Sequence, residues 1–304
     1  MDKNIPLIIF GYAFPHKKTY DFVSILFAKG LRNIVVIGAP KLLLKGNKTI
    51  NLKKNNIEEN SYCIKDLCSS LGIEFVECAH DKIEVIEDIR DRIKAKIALI
   101  SGARILKKEI IDLFDNGIIN FHPGKIPETS GLDSFFYTIE KNCSPGITVH
   151  VIDEKVDAGK LIFFEQLFVK ENESMKEVRA NLYATQSKAL GNYLDFYFGK
   201  DIDYPEINRP KKNIPLSEAK KLEITSQYDS WLDAQLKLQT SFEKEFYELC
   251  SKKDHKKIEQ LIKENSYYLY LKGQDGKTIF DFLNKENDLV FAVKSFLENY
   301  KLFD

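Results

Sequence analysis

Hydrophobic and polar positions alternate along the first 200 residues in two periods. Short apolar runs are separated by stretches that repeat every three to four residues. "PLIIFGY" (6–12) reads as a buried strand, and "KTYDFVSILFAKG" (18–30) as a helix with Phe22, Ile25 and Leu26 on one face and Gly30 as its stop. "NIVVIGAP" (33–40) is a second buried strand, and 41–60, with five lysines before its first acid, reads as a loop. A helix over 61–73, a strand over 74–80, a helix over 82–95 and a strand over 97–101 follow. Next come a helix over 106–117 and a strand at "IINFH" (118–122), then strands at 146–153 and 160–169. A long helix over 174–198 carries Met175, Val178, Leu182, Leu190, Leu194 and Tyr197 at helical spacing. Apolar strands alternating with amphipathic helices predict an α/β fold, a mostly parallel sheet flanked by helices, with its chemistry at the C-terminal ends of strands.

The pattern changes at "GKDIDYPEINRPKKNIPLSEA" (199–219), where Pro205, Pro210 and Pro215 mark a crossover. This places a catalytic domain over 1–200, a linker and candidate interface over 201–241, and a small, mainly helical segment over 242–304. Trp231, the single tryptophan, reads as a core or interface anchor.

Composition narrows the function classes. The 45 basic and 45 acidic residues cancel, so no overall charge favours nucleic acid as a partner. No apolar run approaches the roughly 18–20 residues of a membrane span, and the N-terminus does not read as a signal peptide. The five cysteines, Cys63, Cys68, Cys78, Cys143 and Cys250, form no C-x-x-C pair, and no two His or Cys lie at ligand spacing. A cytoplasmic protein without metal is the expectation.

The candidate chemistry is at the end of the 118–122 strand. Residues two apart on a strand share a face, so Asn120 and His122 point the same way just before Pro123 and Gly124. An amide donates to a developing oxyanion, and an imidazole handles a proton near neutral pH. Asp157, between the next two strands, is the carboxylate best placed to serve them. His150, alternating with Val149 and Val151, reads as structural.

Asn120-x-His122-Pro123, "SPGITVHVIDEKVDAGKLIF" and Asp157, in this order, resemble the family of formyltransferases that use 10-formyltetrahydrofolate. The resemblance covers about residues 95–200. It includes "SGARILKKEIIDLFDNGIINFHPGKIP", similar to the family's folate-loop segment, with Gly102, Arg104, Ile105 and Leu106 in position. It implies a Rossmann-type fold and transfer of a formyl group to an amine. Asn120 and His122 would stabilise the oxyanion, Asp157 would accept a proton, and the loop around Asp153 would close the folate site.

The resemblance is strongest to the nucleotide-sugar N-formyltransferases of surface polysaccharide (lipopolysaccharide) synthesis. The turn "FGYAFPHKKT" (10–19) lacks the glycine- and serine-rich pattern of purine-pathway enzymes, and the tail lacks the β-barrel pattern of methionyl-tRNA enzymes. A nucleotide-linked amino sugar is therefore the expected partner, with His16, Lys17 and Lys18 as candidate contacts, and a homodimer is compatible. Another amine acceptor, or a silent binding protein on the same fold, is the alternative. "DGKTIFDF" (275–282) resembles a single ankyrin-type repeat, with Ile279 where proline usually follows threonine.

Overall fold

The computed structural model describes residues 4–41, 62–155, 157–200, 202–207, 213–252, 254–264, 279 and 291–294. Seven strands form one sheet: β1 (Leu7–Tyr12), β2 (Ile34–Ala39), β3 (Glu74–Glu77), β4 (Ile97–Ile100), β5 (Ile118–His122), β6 (Gly146–Val151) and β7 (Lys160–Gln166). Their order is β3-β2-β1-β4-β5-β6-β7, and β3-β2, β2-β1, β1-β4 and β4-β5 are parallel pairs. The order reverses direction around β1, so the strands on its two sides are entered from opposite flanks, as in doubly wound sheets.

Among the described residues the helices are α1 (Lys17–Ala28), α2 (Ile64–Leu71), α3 (Ile83–Ile93), α4 (Lys108–Ile111), α5 (Ser134–Glu140), α6 (Met175–Phe196), α7 (Glu218–Thr225), α8 (Tyr228–Ser251) and α9 (His255–Glu264). In α1, Thr19, Phe22, Val23 and Leu26 are buried, an i, i+3, i+4, i+7 stripe.

The chain divides into two compact units. The first comprises Met1–Phe121, His150–Lys160 and Ser187–Ile207. Its core joins Ile8 and Phe10 of β1 with Val35 and Ile37 of β2, Ile86 and Ile89 of α3, and Ile110 and Phe114. Phe121 of β5 is fully buried and meets Phe22 and Tyr193 edge-on, at 5.2 and 6.0 Å between ring centroids. The second unit comprises His122–Val149, Leu161–Gln186 and Asn208–Asp304. There Trp231, buried within α8, donates its indole N–H to the Cys143 carbonyl at 3.1 Å and packs on Phe135 and Tyr228.

The expected 106–117 helix is only one turn, Lys108–Ile111. Phe114 N–H donates back to Ile111, and Asn116 N–H leaves for the Lys96 carbonyl. The backbone then turns left-handed at Gly117 to enter β5. The mainly helical segment expected from 242 does not start a new element there: α8 runs from Tyr228 to Ser251, and Asp254 opens α9 by accepting from Lys257 N–H at 3.2 Å. The candidate loop over 41–60 and nearly all of the ankyrin-like stretch fall outside the described residues.

Candidate functional site

Strand β5 presents Ile118, Asn120 and His122 on one face. Ile118 is sealed in the core, Asn120 is half-buried, and His122 is buried at the strand's end. The apolar residue anchors the strand and the polar pair occupies the outlet.

Within the first unit Asn120 lines a cleft of about 160 Å³ with Ile100, Arg104, Ile105, Leu106, Asp153 and Asp157. Asp157 is partly exposed and takes a left-handed backbone (φ 51°), which aspartate tolerates better than most residues. Asp153 accepts from Lys155 N–H at 2.8 Å, an Asx-type turn that shapes the same loop. Ile105 is 69% exposed, an apolar side chain held in water at the cleft's edge. A donor pair, two carboxylates and an exposed apolar wall suit a planar ring with a polar edge.

Gly102 does not line this cleft. A Cβ there would stand 2.7 Å from His16 Cε1 and 2.8 Å from Tyr12 Cε2. Its lack of a side chain lets the turn after β4 lie flat on those two rings.

In the second unit, His122 is wrapped by the turn that follows it. Its Nε2–H donates to the Thr129 carbonyl at 3.0 Å, so the neutral ring's basic nitrogen is Nδ1. Thr129 is tied to the Lys125 carbonyl through both its N–H and its hydroxyl. Thr148 accepts from Ile126 N–H at 3.1 Å and donates to the Gly124 carbonyl at 2.6 Å. Five hydrogen bonds therefore fix where the imidazole sits.

A second cleft begins at Pro123, the residue after His122. About 360 Å³ in volume, it is bounded by Asp133, Phe135, Phe136, Arg179, Tyr183 and Gln186. The Arg179 guanidinium lies 5.8 Å from the Phe135 ring centroid, a cation held over an aromatic face. Sequence reading did not single out Arg179, because a lone arginine on a helix carries no pattern.

The end of β1 is built differently. His16 is the N-cap of α1, and its Nδ1 accepts from Thr19 Oγ1 at 2.7 Å and Thr19 N at 3.3 Å. Burial, reinforced by the Lys18 charge, pushes its pKa down to about 4, so the ring is neutral at pH 7. Lys17 pairs with Asp21. Lys18 reaches the Phe121 carbonyl at 3.5 Å and lies 5.2 Å from the Phe22 ring centroid. Its ammonium is desolvated, which lowers its pKa to about 8.

His150, which the sequence reads as structural, has a partner in the cleft that the sequence does not show. It is fully buried on β6, with Nδ1 2.9 Å from the Ala158 carbonyl and Nε2 3.2 Å from Asn120 Nδ2. The available signal was the pair Thr148 and His150, two polar residues in phase on a strand otherwise apolar. Among the described residues no group of His, Cys, Asp and Glu is arranged to hold a metal ion, and no helix is long and apolar enough to cross a membrane.

Residues 65–194 match the model of the family described as formyl transferase. That stretch contains Asn120, His122, His150, Asp157, Arg104 and both clefts, and excludes the His16–Lys18 turn. The chain is 20% identical over 147 residues to the methionyl-tRNA formyltransferase of Finegoldia magna, covering 48% of this chain and 47% of that protein. It is 26% identical over 105 residues to the phosphoribosylglycinamide formyltransferase of Bacillus subtilis, covering 34% and 54%. The chain thus spans about half the length of the curated relatives it matches. The fold is similar to that of a formyltetrahydrofolate deformylase from Pseudomonas syringae pv. tomato, with a TM-score of 0.50 and 13% identity over 68% of this chain and 66% of that one. By these matches the central 65–194 segment, which carries the candidate site, is similar to the formyl transferases.

Proposed function

We propose that this chain moves a formyl group from 10-formyltetrahydrofolate to the amino group of a nucleotide-linked amino sugar. The observation that carries the reading is the shared cleft of Asn120, Asp157 and Arg104–Leu106, inside the segment that matches formyl transferases. At about 160 Å³ this cleft is smaller than the roughly 300–1,000 Å³ of pockets that enclose a drug-sized ligand. It suits the donor's ring system, with the rest of the molecule extending outward past Ile105.

In the proposed reaction the acceptor nitrogen attacks the formyl carbon, the bond from that carbon to the donor nitrogen breaks, and a proton moves from the acceptor to the donor nitrogen. Asn120 donates an N–H to the oxyanion as it forms. His122, its Nε2 proton committed to Thr129, takes part in proton transfer through Nδ1. Asp157 accepts the acceptor's proton, directly or through water. Because the attacking amine must be unprotonated, activity falls as pH drops below neutrality.

Two features support a nucleotide-linked sugar. The 10–19 turn departs from the glycine- and serine-rich pattern of purine-pathway enzymes, and the described part of the tail is helical rather than a β-barrel. In this reading Lys17 and Lys18, at the end of β1, supply positive charge for the acceptor's anionic part. His16 contributes position, as a neutral helix cap, rather than charge.

The test mixes the purified chain with 10-formyltetrahydrofolate and dTDP-, UDP- and GDP-linked 3-amino and 4-amino sugars, with glycinamide ribonucleotide alongside. Mass spectrometry then looks for acceptors heavier by one CO. A formylated nucleotide sugar supports the reading. Formylation of glycinamide ribonucleotide alone overturns the acceptor, and no transfer to any amine overturns the reaction.

A further inference from the structure

We infer that His150 is the positioning residue of this site: its buried ring fixes which end of the Asn120 amide faces the cleft and pins the turn that carries Asp157. The catalytic part of this inference rests on the formyl-transfer reading; the hydrogen-bond arrangement does not.

The argument starts at the Ala158 carbonyl. A carbonyl only accepts, so the nitrogen 2.9 Å from it, His150 Nδ1, carries the proton. A neutral imidazole protonated at Nδ1 has a lone pair at Nε2, and the group 3.2 Å from that lone pair must donate. Asn120 therefore turns its NH2 toward His150 with one N–H engaged, and the amide keeps a second N–H to direct elsewhere. Flipping the amide would set Asn120 Oδ1 against the Nε2 lone pair. Removing that clash by moving the ring proton to Nε2 would set an Nδ1 lone pair against Ala158. Both alternatives leave like partners facing each other at a fully buried ring, where an unmade hydrogen bond costs about 1–3 kcal/mol.

The same ring acts on the carboxylate side. Ala158 follows Asp157 directly, and Asp157 holds a left-handed backbone that the chain must keep in place. The Nδ1–H bond to Ala158 ties this turn to β6, so one imidazole sets both the Asn120 amide and the Asp157 loop, and both residues line the same cleft.

The first measurement is made on wild-type protein labelled with ¹⁵N-histidine, by NMR of the ring nitrogens. The His150 signals are identified by their loss in His150→Gln. The expected result at pH 7 is the Nδ1–H tautomer, with the Nε2 resonance moving in Asn120→Ala. An Nε2–H tautomer, or an Nε2 signal indifferent to Asn120→Ala, overturns the inference.

Kinetics with the acceptor found in the screen then read the consequence. His150→Leu lowers kcat about ten- to hundredfold, part of the 10²–10³ that loss of an oxyanion donor costs, with little change in the donor KM. His150→Gln, which restores an acceptor near the Nε2 position, recovers much of that loss. Asn120→Ala with His150→Leu is slower than Asn120→Ala alone by clearly less than the factor that His150→Leu costs the wild type, because the Asn120 share of that loss is already gone. Fully additive losses would mean that His150 does not act through Asn120 and would overturn the positioning role. A wild-type protein that formylates no amine overturns the functional reading, and the NMR result then judges the hydrogen-bond arrangement by itself.

Discussion

The ends of β1 and β5 look alike in sequence, since each closes an apolar run with a histidine and other polar groups. At β1 the histidine is consumed locally, and the lysines beside it have partners of their own. His16 caps α1, Lys17 pairs with Asp21, and Lys18 lies against Phe22 and the Phe121 carbonyl. At β5, Asn120 is oriented by a buried histidine on another strand, and His122 is fixed by the turn that follows it. The first pattern makes a structural joint. The second directs polar atoms from fixed positions, as a reaction centre requires. A histidine at a strand end therefore says little until its hydrogen-bond partner is known.

The sharpest way to break this contrast is to remove a polar group at each end. Asn120→Ala is expected to lower kcat about 10²–10³-fold, the cost of an oxyanion donor. His16→Asn, which keeps a side-chain acceptor at the cap, changes stability at pH 7 by only a few tenths of a kcal/mol and leaves turnover nearly as it was. Steady-state kinetics on both variants decides; equal losses would erase the distinction.

Next in size is the apolar partner of the β5 pair. Phe121 faces away from Asn120, into Phe22 and Tyr193, so Phe121→Ala should destabilise the fold by about 3–5 kcal/mol. Denaturant unfolding measures it, and a loss below about 1 kcal/mol would mean the ring is not a core anchor.

A smaller effect probes how closely α1 approaches β1. A Cβ at Gly11 would lie 2.6 Å from Thr19 Cγ2 and 3.1 Å from Ser101 Oγ. Ser101 Oγ is itself 3.0 Å from both the Phe10 carbonyl and Thr19 Oγ1. Gly11→Ala is therefore expected to cost about 1–3 kcal/mol through overpacking, and an unchanged melting temperature would contradict the packing.

The smallest effects are in the pH dependence of stability. Lys18 holds its proton to about pH 8 folded but to 10.5 unfolded, so its charge opposes folding at neutrality and stability rises with pH between those values. Lys18→Met should be at least as stable as wild type at pH 7 and lose that rise. His16 titrates near 4 folded and 6.5 unfolded, so its contribution to stability falls as pH drops from 6.5 to 4. His16→Asn should flatten that fall. Thermal melts from pH 4 to 10 read both slopes.

The sequence by itself determined the alternation of strands and helices, the parallel sheet, and Asn120 and His122 on one face of β5. Each follows from a local period: two along a strand, about 3.6 along a helix. Only the tertiary structure decided which imidazole is a cap, which orients an amide and which is held by its own turn. The amide-orienting role depends on a partner 30 residues away in the chain, and the cap and the turn use partners 3 and 7 residues on, in loop conformations that no strand or helix period specifies. The 106–117 helix was misread for the same reason: its periodicity was helical, but Asn116 bonds to Lys96 and pulls the chain into β5 after one turn. Local periods fix which side of an element faces inward, whereas the partner of a polar atom is set by folding, when distant segments meet and each buried donor must find an acceptor.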